Sequence, residues 1–206
     1  MRHGRMMMPV LGILLCLVSS PAALAEASGP TVVVERLHAA LLQVMRTAGQ
    51  LGYAGRLKTL SPVLEAVYDY PNMTRSASGS YWKQFTPNQQ TQVTKAFADM
   101  SAATYAARFD DYGGETFVTV ATKEAPGGGT LVQTQLQRVK GEPVKLDYLL
   151  KQSGGADWRI VDVYYMGGIS EVANQRSQFL SVLKTTSPEQ LAATLEQKAQ
   201  QMAAGK

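Results

Sequence analysis

Cysteine, histidine and long apolar runs are scarce in this chain, and each scarcity closes a route. A single cysteine, Cys16, rules out an intrachain disulfide framework. With two histidines, His3 and His38, far apart near the N-terminus, a typical zinc site has no ligands to draw on. The longest apolar run, Met6 to Val18, is about 13 residues, short of the roughly 20 a spanning helix needs. Positive charge exceeds negative by only four (20 Lys+Arg against 16 Asp+Glu), and no Lys/Arg cluster is present, so nucleic acid is not an expected partner.

What is present first is an export signal. Arg2 and Arg5 precede the short apolar run, Ser19-Ser20-Pro21 breaks it, and Ala23-Leu24-Ala25 offers small residues at the two positions a signal peptidase reads. Residues 1–25 therefore read as a signal peptide, with the mature chain beginning near Glu26; an uncleaved N-terminal anchor is the alternative. A lipoprotein is disfavoured because Cys16 follows Ile13-Leu14-Leu15 rather than a small residue. Cleavage removes Cys16 and His3 and leaves 18 Lys+Arg against 16 Asp+Glu. A cysteine-free mature chain suits an oxidising compartment. About 180 residues then fit one soluble domain, 26–206, large enough to close a core around a cavity.

The mature chain reads as helices (31–110), a sheet (115–166) and helices again (170–203). Val34, Leu37, Leu41, Val44, Ala48 and Leu51 fall at three- and four-residue steps on one helical face, which Gly52 and Gly55 end. Ser61-Pro62 reads as the start of a short helix to about Tyr68, and Asp69-Tyr70-Pro71-Asn72 as a turn. Thr86-Pro87-Asn88-Gln89 has the form of a capping box and opens a helix to about Asp110. From Glu115 the period becomes two. Strands over 115–123, 130–139, 144–151 and 158–166 are joined by glycine-rich turns at 127–129, 141–143 and 153–155, which argues an antiparallel sheet. Ser170 to Leu183 reads as a helix, and Ser187-Pro188-Glu189-Gln190 opens another. The fold class is α+β, a curved antiparallel sheet packed with N- and C-terminal helices.

Catalytic chemistry is thin. His38 is read as a partly exposed helix residue, with a catalytic base as the other reading. Asp162 sits in the most apolar strand, either as a base of raised pKa beside Tyr148 or Tyr164, or as a hydrogen-bonded or solvent-facing structural acid. No Walker loop, Gly-x-Ser-x-Gly elbow or His-Glu-x-x-His occurs, and no helix start follows the 127–129 glycines to make a phosphate cradle. No metal or cofactor is expected. Two large apolar surfaces remain, on the strands and on the flanking helices. They either pack as plain core or bound a cavity, and enclosing hydrocarbon in such a cavity is worth roughly 0.8 kcal/mol per CH₂.

Four stretches carry a family resemblance. Trp82 to Gln90 with its Thr86-Pro87, the Phe97–Tyr112 segment with Tyr105 and Phe109, Trp158-Arg159-Ile160-Val161-Asp162-Val163, and Gly168-Ile169-Ser170 followed by Asn174-Gln175-Arg176-Ser177-Gln178-Phe179 together resemble the MlaC-type family, also known as toluene-tolerance auxiliary proteins. The run Tyr105 to Glu115 leans toward the hopanoid-associated HpnM branch, although an extra residue stands between Tyr165 and Gly168. The resemblance implies an NTF2-like fold with added helices. It also implies a periplasmic carrier moving phospholipid or hopanoid between an outer-membrane lipid complex and an inner-membrane ABC transporter complex, with Asp162 structural and no enzymatic activity.

From alternation, the sheet side of a lipid pocket falls to Val132, Leu136, Val144, Leu146, Tyr148 and Leu150, and the helix side to Phe97, Met100, Phe179 and Leu183. Tyr148 and Tyr165 are placed to offer a hydroxyl to a polar lipid end. The chain is expected to act as a monomer. Two other classes stay open: an isomerase-like enzyme using Asp162 and a tyrosine on a small apolar substrate, and an adaptor that bridges membrane complexes without binding lipid.

Overall fold

A computed structural model describes residues 1, 29–155 and 157–205. The signal segment assigned to 1–25 lies outside the described residues, Met1 apart. Helix α1 (Pro30–Arg46) buries Val33, Val34, Leu37, Leu41 and Val44, the apolar stripe its spacing predicts. The chain then departs from the sequence reading. Helix α1 stops at Arg46, and Gly52, at φ 58 and ψ −177, is a break in the helical backbone as expected, but helix resumes at once within α2 (Ala48–Val67), through Gly55 and with Pro62 in its interior. Ser61 caps nothing; its hydroxyl donates to the Leu57 carbonyl one turn back. Leu60, Leu64 and Val67 are fully buried, and this tertiary packing outweighs the backbone bond that Pro62 removes.

The turn read at 69–72 is a helix start. Asp69 caps α3 (Tyr70–Ser78) by accepting from the Asn72 amide at 3.0 Å, so the local hydrogen bond is that of a turn while the chain beyond it is helical. A 3-10 turn (Gly79–Gln84) leads to α4 (Pro87–Arg108). Its capping box forms in both directions, Gln89 N to Thr86 Oγ1 at 3.3 Å and Thr86 N to Gln89 Oε1 at 2.7 Å. Gln90 Nε2 donates back to the carbonyls of Trp82 and Phe85, which ties the preceding turn to the helix. At the far end of α4 the buried Arg56 donates from Nε to the Ala106 carbonyl at 2.8 Å, a cation set against the negative end of a helix.

Strands β1 (Thr116–Glu124), β2 (Thr130–Gln137), β3 (Val144–Gln152), β4 (Trp158–Tyr165) and the two-residue β5 (Ile169–Ser170) form one antiparallel sheet in sequence order. The register shifts at Thr119/Ala121 and at Leu149/Leu150, leaving Val120 and Val161 as extra residues that bend the sheet. Val132, Leu146, Tyr148, Leu150, Ile160 and Val163 occupy its buried face. Helix α1 lies across that face. His38 is buried there, not partly exposed: its ring stacks on Phe117 at 3.8 Å and Nε2 is 3.2 Å from the Tyr148 hydroxyl. The junction of α2 and α3 is clipped to β4 by the Asp69 amide, which donates to the Ile160 carbonyl at 2.9 Å.

Helix α5 (Glu171–Leu183) follows β5, and α6 (Pro188–Ala204) returns along α4. Ser170 and Ser187 cap them through the amides of Ala173 and Gln190; at Ser187 the forward bond is the one that forms. The result is α+β, a bulged antiparallel sheet with helices from both ends of the chain. Among the described residues no helix is long and apolar enough to cross a membrane.

Candidate functional site: a cavity between sheet end and helices

The spacing of side chains on three helices builds a cavity of about 390 Å³. On α4, Phe97, Met100, Ser101, Thr104, Tyr105 and Arg108 fall at three- and four-residue steps and share one face. Opposite them, Glu171, Asn174, Gln175 and Gln178 do the same on α5, and Lys198, Gln201 and Met202 on α6. Val163 and Tyr165 close it from the end of β4, and Tyr68 and Met73 from the α2–α3 region. The volume lies within the roughly 300–1,000 Å³ range of small-molecule sites.

Apolar and polar lining are both substantial. Met73, Phe97, Met100, Phe109, Val163 and Met202 provide hydrocarbon, and tyrosines provide hydroxyls. The Tyr68 and Tyr105 hydroxyls are hydrogen-bonded to each other, and the Tyr70 hydroxyl donates to Ser101 Oγ at 3.0 Å. Burial raises the pKa of all three phenols, which keeps them neutral and protonated. At the rim, Arg108 Nη1 donates to the Tyr165 hydroxyl at 3.2 Å, with its guanidinium carbon 5.8 Å from the ring centre. A second, more open groove of about 920 Å³ shares Tyr68 with the cavity and carries Glu65, Asp69, Asp99, Lys95 and Arg159. Tyr70, Pro71, Trp82, Pro87 and Ala98 give it an apolar wall as well.

The α5 sequence Asn174–Phe179 divides its labour by helical phase. Asn174, Gln175 and Gln178 face the cavity. Arg176 crosses Gly79 to donate to the Ser76 carbonyl at 2.7 Å, and Phe179 packs edge-on against Phe97 with centroids 5.5 Å apart. Gly79 has φ 58, and a Cβ there would sit 2.8 Å from the guanidinium nitrogens, so the site holds both a backbone turn and a seat for Arg176.

Asp162 is committed to structure. Oδ1 accepts from the amides of Val163 at 2.8 Å and Val172 at 3.0 Å, and Oδ2 accepts from the Ser170 hydroxyl at 2.6 Å. It fastens the start of α5 to β4 and is not among the cavity lining. His38 is equally occupied. Desolvation lowers its pKa from 6.5 to about 4, so it is a neutral partner of Tyr148 at pH 7. Among the described residues, no group of three His, Cys, Asp or Glu side chains is placed to hold a metal ion.

Of the residues assigned to a lipid pocket by alternation, Phe97, Met100 and Tyr165 line the cavity. Phe179 and Leu183 are buried behind it, Phe179 against Phe97. Val132, Leu146, Tyr148 and Leu150 are packed into the core on the sheet's inner face, and Leu136 and Val144 are half-buried against that core. Tyr148 gives its hydroxyl to His38 rather than to the cavity. The other polar lining residues, Tyr68, Ser101, Thr104, Tyr105, Arg108, Glu171, Asn174, Gln175, Gln178, Lys198 and Gln201, lie outside that reading because alternation selects apolar residues. The family resemblance touches part of it, since its stretches contain Tyr105, Arg108, Asn174, Gln175 and Gln178 without giving them a role.

Comparisons with known proteins agree with the geometry. Among curated proteins, none matches the chain. A solved structure described as a phospholipid-binding protein from Ralstonia solanacearum, in complex with a phospholipid, superposes with a TM-score of 0.73 at 22% identity, covering 86% of this chain and 99% of that one. That likeness shows a shared fold. The sequence model for the MlaC protein matches residues 35–197, which spans every element from α1 to the middle of α6, and this chain belongs to the MlaC family.

Proposed function

We propose that this chain is a periplasmic lipid carrier that shuttles phospholipid or hopanoid between an outer-membrane lipid complex and an inner-membrane transporter complex, working as a monomer. The observation that carries the reading is the 390 Å³ cavity between α4, α5, α6 and the end of β4, with hydrocarbon on its walls. Membership of the MlaC family and the shared fold of a phospholipid-bound protein support the same class. A binding role also fits the way Asp162 and His38 are occupied, since each would have to abandon structural partners to move a proton.

In this reading Phe97, Met100 and Tyr165 touch the hydrocarbon directly. Phe179 and Leu183 back them. Val132, Leu136, Val144, Leu146, Tyr148 and Leu150 form the inner sheet face, which a second acyl chain would reach as the helices part from the sheet. Each CH₂ enclosed contributes roughly 0.8 kcal/mol, so a chain of about 16 carbons supplies ample driving force for extraction from water. The test is mass spectrometry of a solvent extract from protein purified without detergent. A lipid at near-equal molar ratio is expected. Protein free of lipid, which also fails to take lipid from vesicles of phosphatidylethanolamine and phosphatidylglycerol, would remove the carrier reading.

A further inference from the structure

Residues that line the cavity carry hydrogen-bonding capacity that the protein itself leaves unused. Gln175 is 6% exposed and lines the cavity. Its Nε2 donates to Glu171 Oε1 at 2.7 Å, and because a carboxylate can only accept, this bond fixes which end of the amide faces Glu171. The other end, Oε1, is buried with no donor. A buried acceptor left unpaired is costly, and such groups are uncommon in folded proteins. A second vacancy lies in the tyrosine pair. Two phenols sharing one hydrogen bond have two protons, and only one is used between them; among the described residues, neither hydroxyl makes a further hydrogen bond. Tyr68 and Tyr105 both line the same cavity. A pocket meant for bare hydrocarbon needs neither an idle acceptor nor an idle donor.

We propose that the cavity receives an amphiphile whose enclosed part carries a hydroxyl group, donating to Gln175 Oε1, with the Tyr68–Tyr105 pair offering its unused proton to an oxygen of the same ligand. This rests on the lipid-carrier reading and specifies its ligand: a hydroxylated lipid is preferred to one whose inserted part is hydrocarbon alone. A hydroxyl both gives and accepts, so it is the simplest group that satisfies either vacancy. The met amide and phenol would then reject an analogue lacking the proton, since binding it would leave Oε1 buried and unpaired.

The experiment is displacement of anilinonaphthalene sulfonate from the purified full chain by dodecanol and by dodecyl methyl ether. The two share a chain; the ether accepts but cannot donate, and it is the more apolar, so simple partitioning favours the ether. The expected result is displacement by the alcohol at roughly tenfold lower concentration, the scale of one net hydrogen bond. That preference should fall to about twofold or less in Gln175→Met, which keeps the side-chain volume and removes the acceptor. Tyr105→Phe is the second variant, and thermal melts establish that each is folded; should either fail to fold, the wild-type comparison decides alone. Equal displacement by both compounds, as a water held at Gln175 would produce, overturns the hydroxyl site and leaves the carrier reading standing. A preference that survives in both variants also overturns the assignment. If neither compound displaces the probe and no lipid co-purifies, the carrier reading falls and the hydroxyl site with it.

Discussion

Acidification should destabilise this protein through His38, and the size of the effect follows from burial. The imidazole is 5% exposed, stacked on Phe117 and hydrogen-bonded to Tyr148, and desolvation lowers its pKa from 6.5 to about 4. The unfolded chain therefore binds a proton between those values that the folded chain refuses, and stability falls as pH drops through that window. The contribution is fully present above about pH 6.5 and lost progressively toward pH 4. At about 1.36 kcal/mol per pKa unit, the loss is about 1 kcal/mol at pH 5.5 and approaches 3 kcal/mol near pH 4. His38→Gln removes the titration and keeps a polar group for Tyr148. Urea denaturation of both proteins at pH 7.5, 6.5, 5.5 and 4.5 isolates the term, because other titrating groups act on both alike. The gap between wild type and variant should shift in the variant's favour by the amounts given. A gap that stays constant across the series would show that His38 pays no burial cost, and the reasoning from desolvation would be wrong.

Three further outcomes test the architecture. Asp162→Ala should cost about 2–4 kcal/mol, because it strands two buried-side amides and the Ser170 hydroxyl, and hydrogen exchange should quicken first at residues 170–173. Gly129→Ala should cost about 2 kcal/mol or more by urea denaturation, since Gly129 has φ 96 and a Cβ there would run into the Leu150 carbonyl oxygen; a neutral result would mean the β1–β2 turn is built otherwise. Met100→Trp places a larger side chain in the cavity wall, and protein that still folds should lose most of its co-purifying lipid; undiminished lipid would place the ligand elsewhere.

Much of the fold was readable in order. The Thr86 capping box, the apolar stripe of α1 and the alternation of β3 are local patterns, and each reports a hydrogen bond or a buried face that neighbours in sequence can specify. The failures have a common cause. Pro62 is a local breaker, yet the burial of Leu60, Leu64 and Val67 carries the helix through it. His38 looked like a surface residue because its partners, Phe117 and Tyr148, are distant in sequence. Asp162 could be read as a base or as a hydrogen-bonded or solvent-facing structural acid; Ser170 and Val172 occupy it in the fold.

The division for the site is the same. By itself the sequence determined the α+β class, the family resemblance and the apolar side chains on hand, because periodicity and capping are properties of contiguous residues. Only the tertiary structure decided where a cavity stays open and which polar groups face it. Whether helix and strand surfaces meet or stand apart depends on how α4, α5, α6 and β4 cross, and Gln175 becomes an unpaired acceptor only when that crossing removes it from water.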